Sequence, residues 1–374
     1  MAGVYIHIPF CKKICHYCDF FRTKSIQRIP DFVNALLIEL KLQEKYLIGE
    51  NIETIYFGGG TPSLLEINYV SKILNQIYLL FPVINKPEIT IEANPDDITK
   101  EYLSELKQLP INRISLGIQS FHDDELKLMN RRHSAKQAIE AVKLLQDFGF
   151  NNISIDIIFG LPNSNVERLT ENIQQAVQLN VNHISAYDLT IEPNTIFHKW
   201  VKEKKISRVG EEQSFLQFKT LIGLLEQNGY QHYEISNFAK PDCYSKHNTN
   251  YWKQKPYLGV GPSAHSFNGQ SRQWNIKNLD KYIDSIHQNV IPFEIEYLNP
   301  TTKLNEFIMT SLRTMWGLDL NEVERLYDVS IKNRLLENAS KYIKSNHLIY
   351  SNSTLILSTE GKFISDSIIS ELFF

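Results

Sequence analysis

Residues 5–18 read YIHIPFCKKICHYC, a short apolar run followed by three cysteines within eight positions. The segment Val4–Ile8 is rich in β-branched residues and favours a strand, and Cys11, Cys15 and Cys18 follow in the loop after it. Thiolates are soft ligands that suit iron–sulfur clusters and zinc. A cubane cluster ordinarily takes one cysteine for each of its four irons. We therefore expect an oxygen-sensitive [4Fe-4S] cluster here, with one iron left open to a non-protein ligand.

A structural zinc site is the competing interpretation of the same cysteines. Cys15 and Cys18 have zinc-like spacing, and Cys243 and His247 could supply further ligands. Zinc ribbons usually stabilise small domains, whereas a chain of 374 residues can build a core without metal. A disulfide framework is not expected, because such frameworks are typical of small secreted chains.

The first half of the sequence alternates strand-like and helix-like segments, which is typical of repeated βα units. The predicted strands are Val4–Ile8, Thr54–Phe57, Glu88–Ala93, Arg113–Gly117, Ser154–Phe159 and His183–Asp188. The predicted helices between them are Asp31–Leu47, Tyr69–Phe81, Lys100–Leu109, Ala135–Phe148 and Arg168–Leu179. This order predicts an α/β protein built on a partial barrel or a doubly wound sheet.

Polar and glycine-rich motifs follow each of the first five predicted strands. They are the cysteine loop, Gly58–Pro62, Glu92–Pro95, Gly117–Ser120, and Asp156 with the turn 160–162. Because the carboxyl ends of parallel strands share one face, we expect these motifs to line a single pocket.

The second half of the sequence contains two further regions whose predicted secondary structure differs from that of the first half. A predicted helix at Glu211–Asn228 is followed by a stretch rich in His, Asn, Tyr and Gly at 230–275 that predicts little regular structure. The last eighty or so residues predict helices and a small hairpin near His347–Ser358. We therefore expect a barrel domain at 1–230, an irregular extension at 231–295 and a smaller, mainly helical C-terminal domain at 296–374.

Composition excludes several classes of protein. A net charge of −3 and a pI near 6.4 argue against nonspecific nucleic-acid binding, which requires clustered Lys and Arg. The apolar segment 73–84 is interrupted by polar residues and Pro82 and is too short to span a bilayer. No signal-peptide pattern precedes the cysteines. These features predict a cytoplasmic protein that is not itself transmembrane.

The opening motif resembles that of radical S-adenosylmethionine (SAM) proteins, in the branch of the oxygen-independent coproporphyrinogen III oxidases (the HemN family). The resemblance extends through Gly58–Pro62, Glu92, Gln119, Asn130-Arg131 and Asp156 to the C-terminal helical domain. It implies a partial (β/α)6 barrel, with the [4Fe-4S] cluster and SAM at the carboxyl ends of the strands.

The same resemblance implies which residues hold the cofactor. Gly59, Gly60 and Thr61 would contact its methionine moiety. Its polar groups would be held by Glu92, Gln119, Arg131 and Asp156, and Tyr5 and Tyr17 would pack near the cluster and the adenine. From the residues alone, each could equally be a turn, a cap or a core side chain. Glu92 and Asp156 fit those roles less well, because a carboxylate in an apolar strand needs a partner.

Two differences separate this sequence from the oxidases. Phe20 stands where they carry a further Cys, and they have a longer N-terminal arm than the residues before the first strand here. Residues 247–252, HNTNYW, instead resemble the HNxxYW motif of the HemW haem chaperones. That resemblance makes His247 the leading candidate for axial haem ligand; His265 is a second candidate expected nearer the cofactor, and Cys243 is expected to be a spectator.

Two functions from different classes remain open at this point. The first is a chaperone that binds haem and transfers it to an acceptor protein, a membrane haemoprotein being one candidate. The second is a radical SAM oxidase that decarboxylates a porphyrinogen propionate. Phe20 and the HNxxYW motif favour the first, so we do not expect an active coproporphyrinogen oxidase.

Overall fold

Six parallel strands form the centre of the structure, for which a computed structural model describes residues 1–374. They are β1 (Ala2–Ile8), β2 (Ile52–Gly59), β3 (Val83–Ala93), β4 (Arg113–Gln119), β5 (Ile153–Phe159) and β6 (His183–Asp188). Each pairs in parallel with the next one along the chain. All six predicted strands are confirmed. Most of their residues are buried, and turn residues flank them.

Helices α1 to α6 lie between these strands in the chain, and α7 and α8 follow β6. They are α1 (Ile29–Leu42), α2 (Ile67–Leu80), α3 (Lys100–Leu106), α4 (Asp123–Leu128), α5 (Ala135–Asp147), α6 (Val166–Gln178), α7 (Ile196–Lys202) and α8 (Glu211–Gln227). The helix predicted at Asp31–Leu47 ends earlier, at Leu42, because residues 43–49 form turns that close at Gly49 with a φ of 84°. None of the helices is both long and apolar enough to cross a bilayer.

The two faces of each central strand have different surroundings. On β1, Val4, Ile6 and Ile8 join a core of 58 buried residues that also contains the apolar sides of the helices. The alternate residues point to the concave side, where Tyr5 stacks on Tyr56 of β2 at 6.0 Å between ring centroids. Because no strand pairing joins β6 back to β1, the barrel is partial, as the resemblance implied.

Residues 231–295 are not irregular, which corrects the sequence-based expectation. They contain β7 (Gln231–Glu234), β8 (Asn237–Ala239), α9 (Lys246–Trp252), β9 (Tyr257–Val260), β10 (His265–Phe267), β11 (Ser271–Asn275), α10 (Leu279–His287) and β12 (Phe293–Tyr297). These strands extend the sheet at both edges, in the order β12-β11-β10-β9-β1-β2-β3-β4-β5-β6-β8-β7. They are short and carry many polar residues, so their strand character depends on pairing with distant segments rather than on local pattern.

A second, smaller core lies within the range predicted for the C-terminal domain. It contains 14 buried residues between Leu304 and Leu372. The elements around it are α11 (Pro300–Leu312), β13 (Leu318–Asp319), α12 (Leu320–Leu326), α13 (Val329–Lys344), β14 (Leu348–Ser351), β15 (Thr354–Leu357), α14 (Thr359–Phe363) and α15 (Ser365–Glu371). The predicted hairpin is confirmed as β14 and β15. The backbone N–H of Met315 donates to the carbonyl of Tyr233 at 2.9 Å and ties this domain to the barrel.

Candidate functional site

The three clustered cysteines lie in the loop that leaves β1. Cys11 is nearly buried, Cys15 and Cys18 are half-buried, and burial raises the pKa of the Cys11 and Cys18 thiols. Arg131 Nη1 donates to Cys15 Sγ at 3.3 Å, and Thr61 Oγ1 donates to Cys11 Sγ at 3.5 Å. Such donors favour the thiolate that a metal requires.

The further ligands considered for a zinc site, Cys243 and His247, do not line the cavity beside the cluster loop. Cys243 contacts Asn182 and the Arg113 guanidinium, at the amino ends of β6 and β4 rather than at the carboxyl ends where the cluster loop lies. No three His, Cys, Asp or Glu side chains converge on a point that could hold a single ion. A cubane cluster does not need such convergence, since each cysteine binds a different iron.

A cavity of about 360 Å³ opens beside the cysteines at the carboxyl ends of the strands. It brings together nearly all of the predicted cluster and cofactor residues. Those that line it are Cys11, Cys15, Tyr17, Cys18, Gly59, Gly60, Thr61, Glu92, Gln119, Arg131 and Asp156. Asn94 and Tyr187 also line it and were not singled out from the sequence, although Asn94 stands in the motif that ends β3.

The glycines after β2 bring backbone against the cluster loop. A Cβ on Gly60 would lie 2.7 Å from the carbonyl oxygen of Phe10 and 2.9 Å from that of Ile8. Gly59 has a φ of 109°, which other residues rarely adopt. Its N–H donates to Glu92 Oε2 at 3.1 Å. The glycines therefore let this turn pack closely on the backbone of the cluster loop.

Two half-buried carboxyl groups, Glu92 and Asp156, face this cavity, and neither forms an ion pair with a basic side chain. Burial raises the pKa of Glu92 to about 7, although Tyr56 OH donates to its Oε1 at 2.8 Å. Burial likewise raises the pKa of Asp156 to about 6. A ligand that brings an ammonium group or ribose hydroxyls would offset the desolvation of these carboxylates.

Arg131 and Gln119 are held by the protein itself. The Arg131 guanidinium donates to Cys15, to the carbonyl of Gly117 and to Asn94, while its buried Nε has no partner. Gln119 has a φ of 75° at the end of β4. A non-glycine residue in this conformation is strained and is characteristic of functional sites.

A larger cavity of about 720 Å³ adjoins the first one. Tyr17, Cys18 and Phe20 line both cavities. Tyr5, predicted to pack near the adenine, lines the larger cavity and not the smaller one. The other walls of the larger cavity include His7, Phe21, Tyr251, Trp252, Tyr257, His265, Phe267, Arg272, Lys277, Met309 and Thr310.

Comparison with known proteins accounts for both parts of the chain. Residues 5–176 match the Radical SAM superfamily, and residues 298–364 match the HemN C-terminal domain. The heme chaperone HemW of Bacillus subtilis (strain 168) is 33% identical over 372 residues, which cover 98% of this chain and 98% of that one. This chain belongs to the HemW family. The HemW of Escherichia coli (strain K12) is 37% identical over 265 residues, or 70% of this chain and 69% of that one.

A solved structure shares the fold of this HemW-family chain. The coproporphyrinogen III oxidase HemN from Escherichia coli, a radical SAM enzyme, superposes with a TM-score of 0.86 at 22% sequence identity. The superposition covers 100% of this chain and 90% of HemN. The partial barrel with its appended C-terminal domain is therefore the HemN architecture.

Membership of the radical SAM superfamily implies a [4Fe-4S] cluster and SAM, and the residues at the smaller cavity fit both groups. Three thiols on one loop suit three irons of a cluster. The Glu92 and Asp156 carboxyl groups, which line this cavity, suit a zwitterionic nucleoside ligand beside the cluster.

The HemW-type HNxxYW motif lies in α9, and its histidine, His247, is hydrogen-bonded through both ring nitrogens. The side chain is buried, with Nδ1 2.8 Å from Thr54 Oγ1 and Nε2 2.8 Å from Tyr251 OH. Burial lowers its pKa to about 3. Both ring nitrogens are thus engaged in hydrogen bonds, and only Tyr251 and Trp252 of the motif reach the larger cavity.

Proposed function

We propose that this protein is a haem chaperone that binds haem and transfers it to an acceptor protein. The observation that carries the proposal is the likeness, over 98% of both chains, to a protein named heme chaperone HemW. A full-length match at 33% identity includes both the barrel and the C-terminal domain, so the activity of the whole relative can be proposed for the whole chain.

The larger cavity supports haem binding on physical grounds. Its volume of about 720 Å³ falls within the range of about 300–1,000 Å³ that is usual for pockets that enclose small ligands. Aromatic walls such as Tyr251 and Trp252 suit the face of a macrocycle, and cationic side chains at the same cavity suit its propionates.

We propose that Cys11, Cys15 and Cys18 hold the [4Fe-4S] cluster and that SAM occupies the smaller cavity. Gly59, Gly60 and Thr61 would face its methionine moiety. The polar groups of SAM would be held by Glu92, Gln119, Arg131 and Asp156, with Tyr17 near the adenine. When bound, the pair supplies one-electron chemistry, and the residues of this chain position both groups beside the haem cavity.

The acceptor is proposed to be a haemoprotein, either free or attached to a membrane. We also propose that the chaperone works in the cytoplasm, because an oxygen-sensitive cluster with an open iron is preserved best in a reducing compartment.

Anaerobic haem titration of the reconstituted protein tests the proposal. We expect saturable binding of haem, followed by loss of the Soret signal from the chaperone when a haem-free acceptor haemoprotein is added. The same sample should release no 5′-deoxyadenosine in the presence of coproporphyrinogen. A protein that binds no haem but decarboxylates coproporphyrinogen would instead be a radical SAM oxidase.

A further inference from the structure

The larger cavity contains one histidine that is free to bind a metal. His265 begins β10, is exposed, and stacks on Trp274 at 5.9 Å between ring centroids. Neither of its ring nitrogens makes a hydrogen bond, and partial desolvation together with the nearby Arg272 and Lys277 lowers its pKa. A neutral imidazole with a free nitrogen is the form that coordinates iron.

The other histidine of this cavity, His7, is hydrogen-bonded through Nε2 to the Phe21 carbonyl at 3.0 Å and through Nδ1 to Tyr5 OH at 3.2 Å.

Two cationic side chains share the cavity with His265. Lys277 is exposed and makes no ion pair, while Arg272 is paired with Glu306 of α11 at 3.0 Å and has a buried Nε without a partner. The acidic residues of the cavity, Asp19 and Glu192, come from the cluster loop and from the segment after β6. Arg272 and Lys277 thus lie close to His265 in the sequence and line the same cavity. This arrangement suits a ligand whose iron would meet the histidine and whose carboxylates would meet the two cations.

The cavity also has an aromatic wall that faces the cluster. Phe20 is 70% exposed and lines both cavities. It occupies the position at which the resembling oxidases carry a further Cys. An aromatic ring at this boundary suits a planar apolar ligand in the larger cavity.

We propose that haem occupies the larger cavity with His265 as an axial ligand and with Arg272 and Lys277 at its propionates. This inference rests on the proposed haem-chaperone function and deepens it. His247 is then a positioning residue: its Nε2 holds Tyr251 OH at 2.8 Å, and Tyr251 lines the cavity.

The test is an anaerobic haem titration of cluster-loaded protein with Soret and electron paramagnetic resonance spectra. It compares the unsubstituted chain with His265→Ala, His247→Ala and the control His287→Ala, which removes an exposed histidine from the end of α10. Iron and sulfide counts before haem addition verify that each variant still folds and holds its cluster.

We expect His265→Ala to lose the histidine-ligated spectrum and to bind haem at least about tenfold more weakly, and added imidazole to restore the spectrum. His247→Ala should weaken binding by a smaller factor and keep the histidine-ligated spectrum. His287→Ala should match the unsubstituted chain.

Two results would overturn the inference, and they are distinguishable. If the unsubstituted chain binds no haem, the chaperone function itself fails. If that chain binds haem but His265→Ala keeps its spectrum and affinity while His247→Ala loses both, haem binding stands and the assigned ligand is wrong.

Discussion

The cysteines differ in whether the [4Fe-4S] cluster requires them. Cys15 lies in the cluster loop under the Arg131 guanidinium, 3.3 Å from its Nη1, whereas Cys243 lies at the other end of the barrel beside Asn182. We expect Cys15→Ala to abolish cluster assembly, so that iron and sulfide fall from about four of each per chain to near background after anaerobic reconstitution.

Cys243→Ala is the matched control for this experiment and should retain the full complement. A Cys15→Ala protein that keeps all its iron and sulfide would remove Cys15 from the ligand set. Iron and sulfide counts are preferable to colour, because a haem Soret band overlaps the cluster absorbance.

Glu92 gives cofactor binding a pH dependence. Burial raises its pKa to about 7, so the carboxyl of the ligand-free protein is protonated below that pH and must lose its proton to face a cationic ligand. The affinity for SAM should therefore rise by about tenfold from about pH 6 to about pH 8, as measured by calorimetry on anaerobic protein.

Glu92→Gln should bind SAM more weakly and with little dependence on pH above about pH 7, while the exposed control Glu44→Gln should follow the unsubstituted chain. An affinity that falls as pH rises would contradict the assignment of Glu92 to a cationic group of the ligand.

Individual residues also show what the sequence could and could not predict. The cluster cysteines were predictable because three thiols on one short loop are a strong indication of a metal centre. The two carboxyl groups were predictable because a charge within an apolar strand is costly unless a partner offsets its desolvation. The surroundings of His247 were not predictable. Its partners Thr54 and Tyr251 come from β2 and α9, and only the fold shows that they fill both ring nitrogens.

At the scale of elements, the turn between β2 and α2 packs directly on the backbone of the cluster loop. A Cβ at Gly60 would lie 2.7 Å from a backbone oxygen of the cluster loop, which cannot move without displacing Cys11. We expect Gly60→Ala to destabilise the fold by about 1–3 kcal/mol and to lower cluster content, measured by thermal unfolding and iron analysis.

Gly223→Ala is the control for added volume, because nothing lies within 4 Å of a Cβ there and the residue is inside α8. This substitution should stabilise the protein by about 0.5–1 kcal/mol. Equal melting temperatures for the two variants would show that the loop yields more easily than its backbone contacts indicate.

Helices and strands were predictable from the sequence when their own residues carry a clear pattern, and were not predictable when they form only by pairing with distant segments. The six central strands and their helices follow from runs of buried residues that each form a complete pattern. The edge strands β7 to β12 do not, because three- to five-residue segments such as His265–Phe267 become strands only by pairing with distant ones. The same difference applies to the two cavities. The smaller cavity was predicted, and the larger one was not, because it is built partly on those short strands.

At the scale of the whole molecule, the two cavities and both domains meet at one loop. The segment with Tyr17, Cys18 and Phe20 walls both cavities, and Met309 of the C-terminal domain reaches the larger one. The segment has no regular secondary structure, and the side chains of Tyr17, Cys18 and Phe20 that a ligand on one side restricts also face the other side. A second ligand then binds to a wall that is already ordered, which is a source of positive coupling.

We therefore expect SAM to strengthen haem binding by about five- to tenfold, and haem to strengthen SAM binding by the same factor, since coupling between binding sites is reciprocal. Anaerobic titrations of each ligand with and without the other measure the two factors. Phe20→Ala removes the aromatic part of the shared wall and should bring both factors close to one. Leu79→Ala, which truncates a side chain 77% exposed on α2, should leave them unchanged. Coupling that survives Phe20→Ala undiminished would mean that the cavities communicate by another route, and unequal factors would mean that a ligand also binds elsewhere.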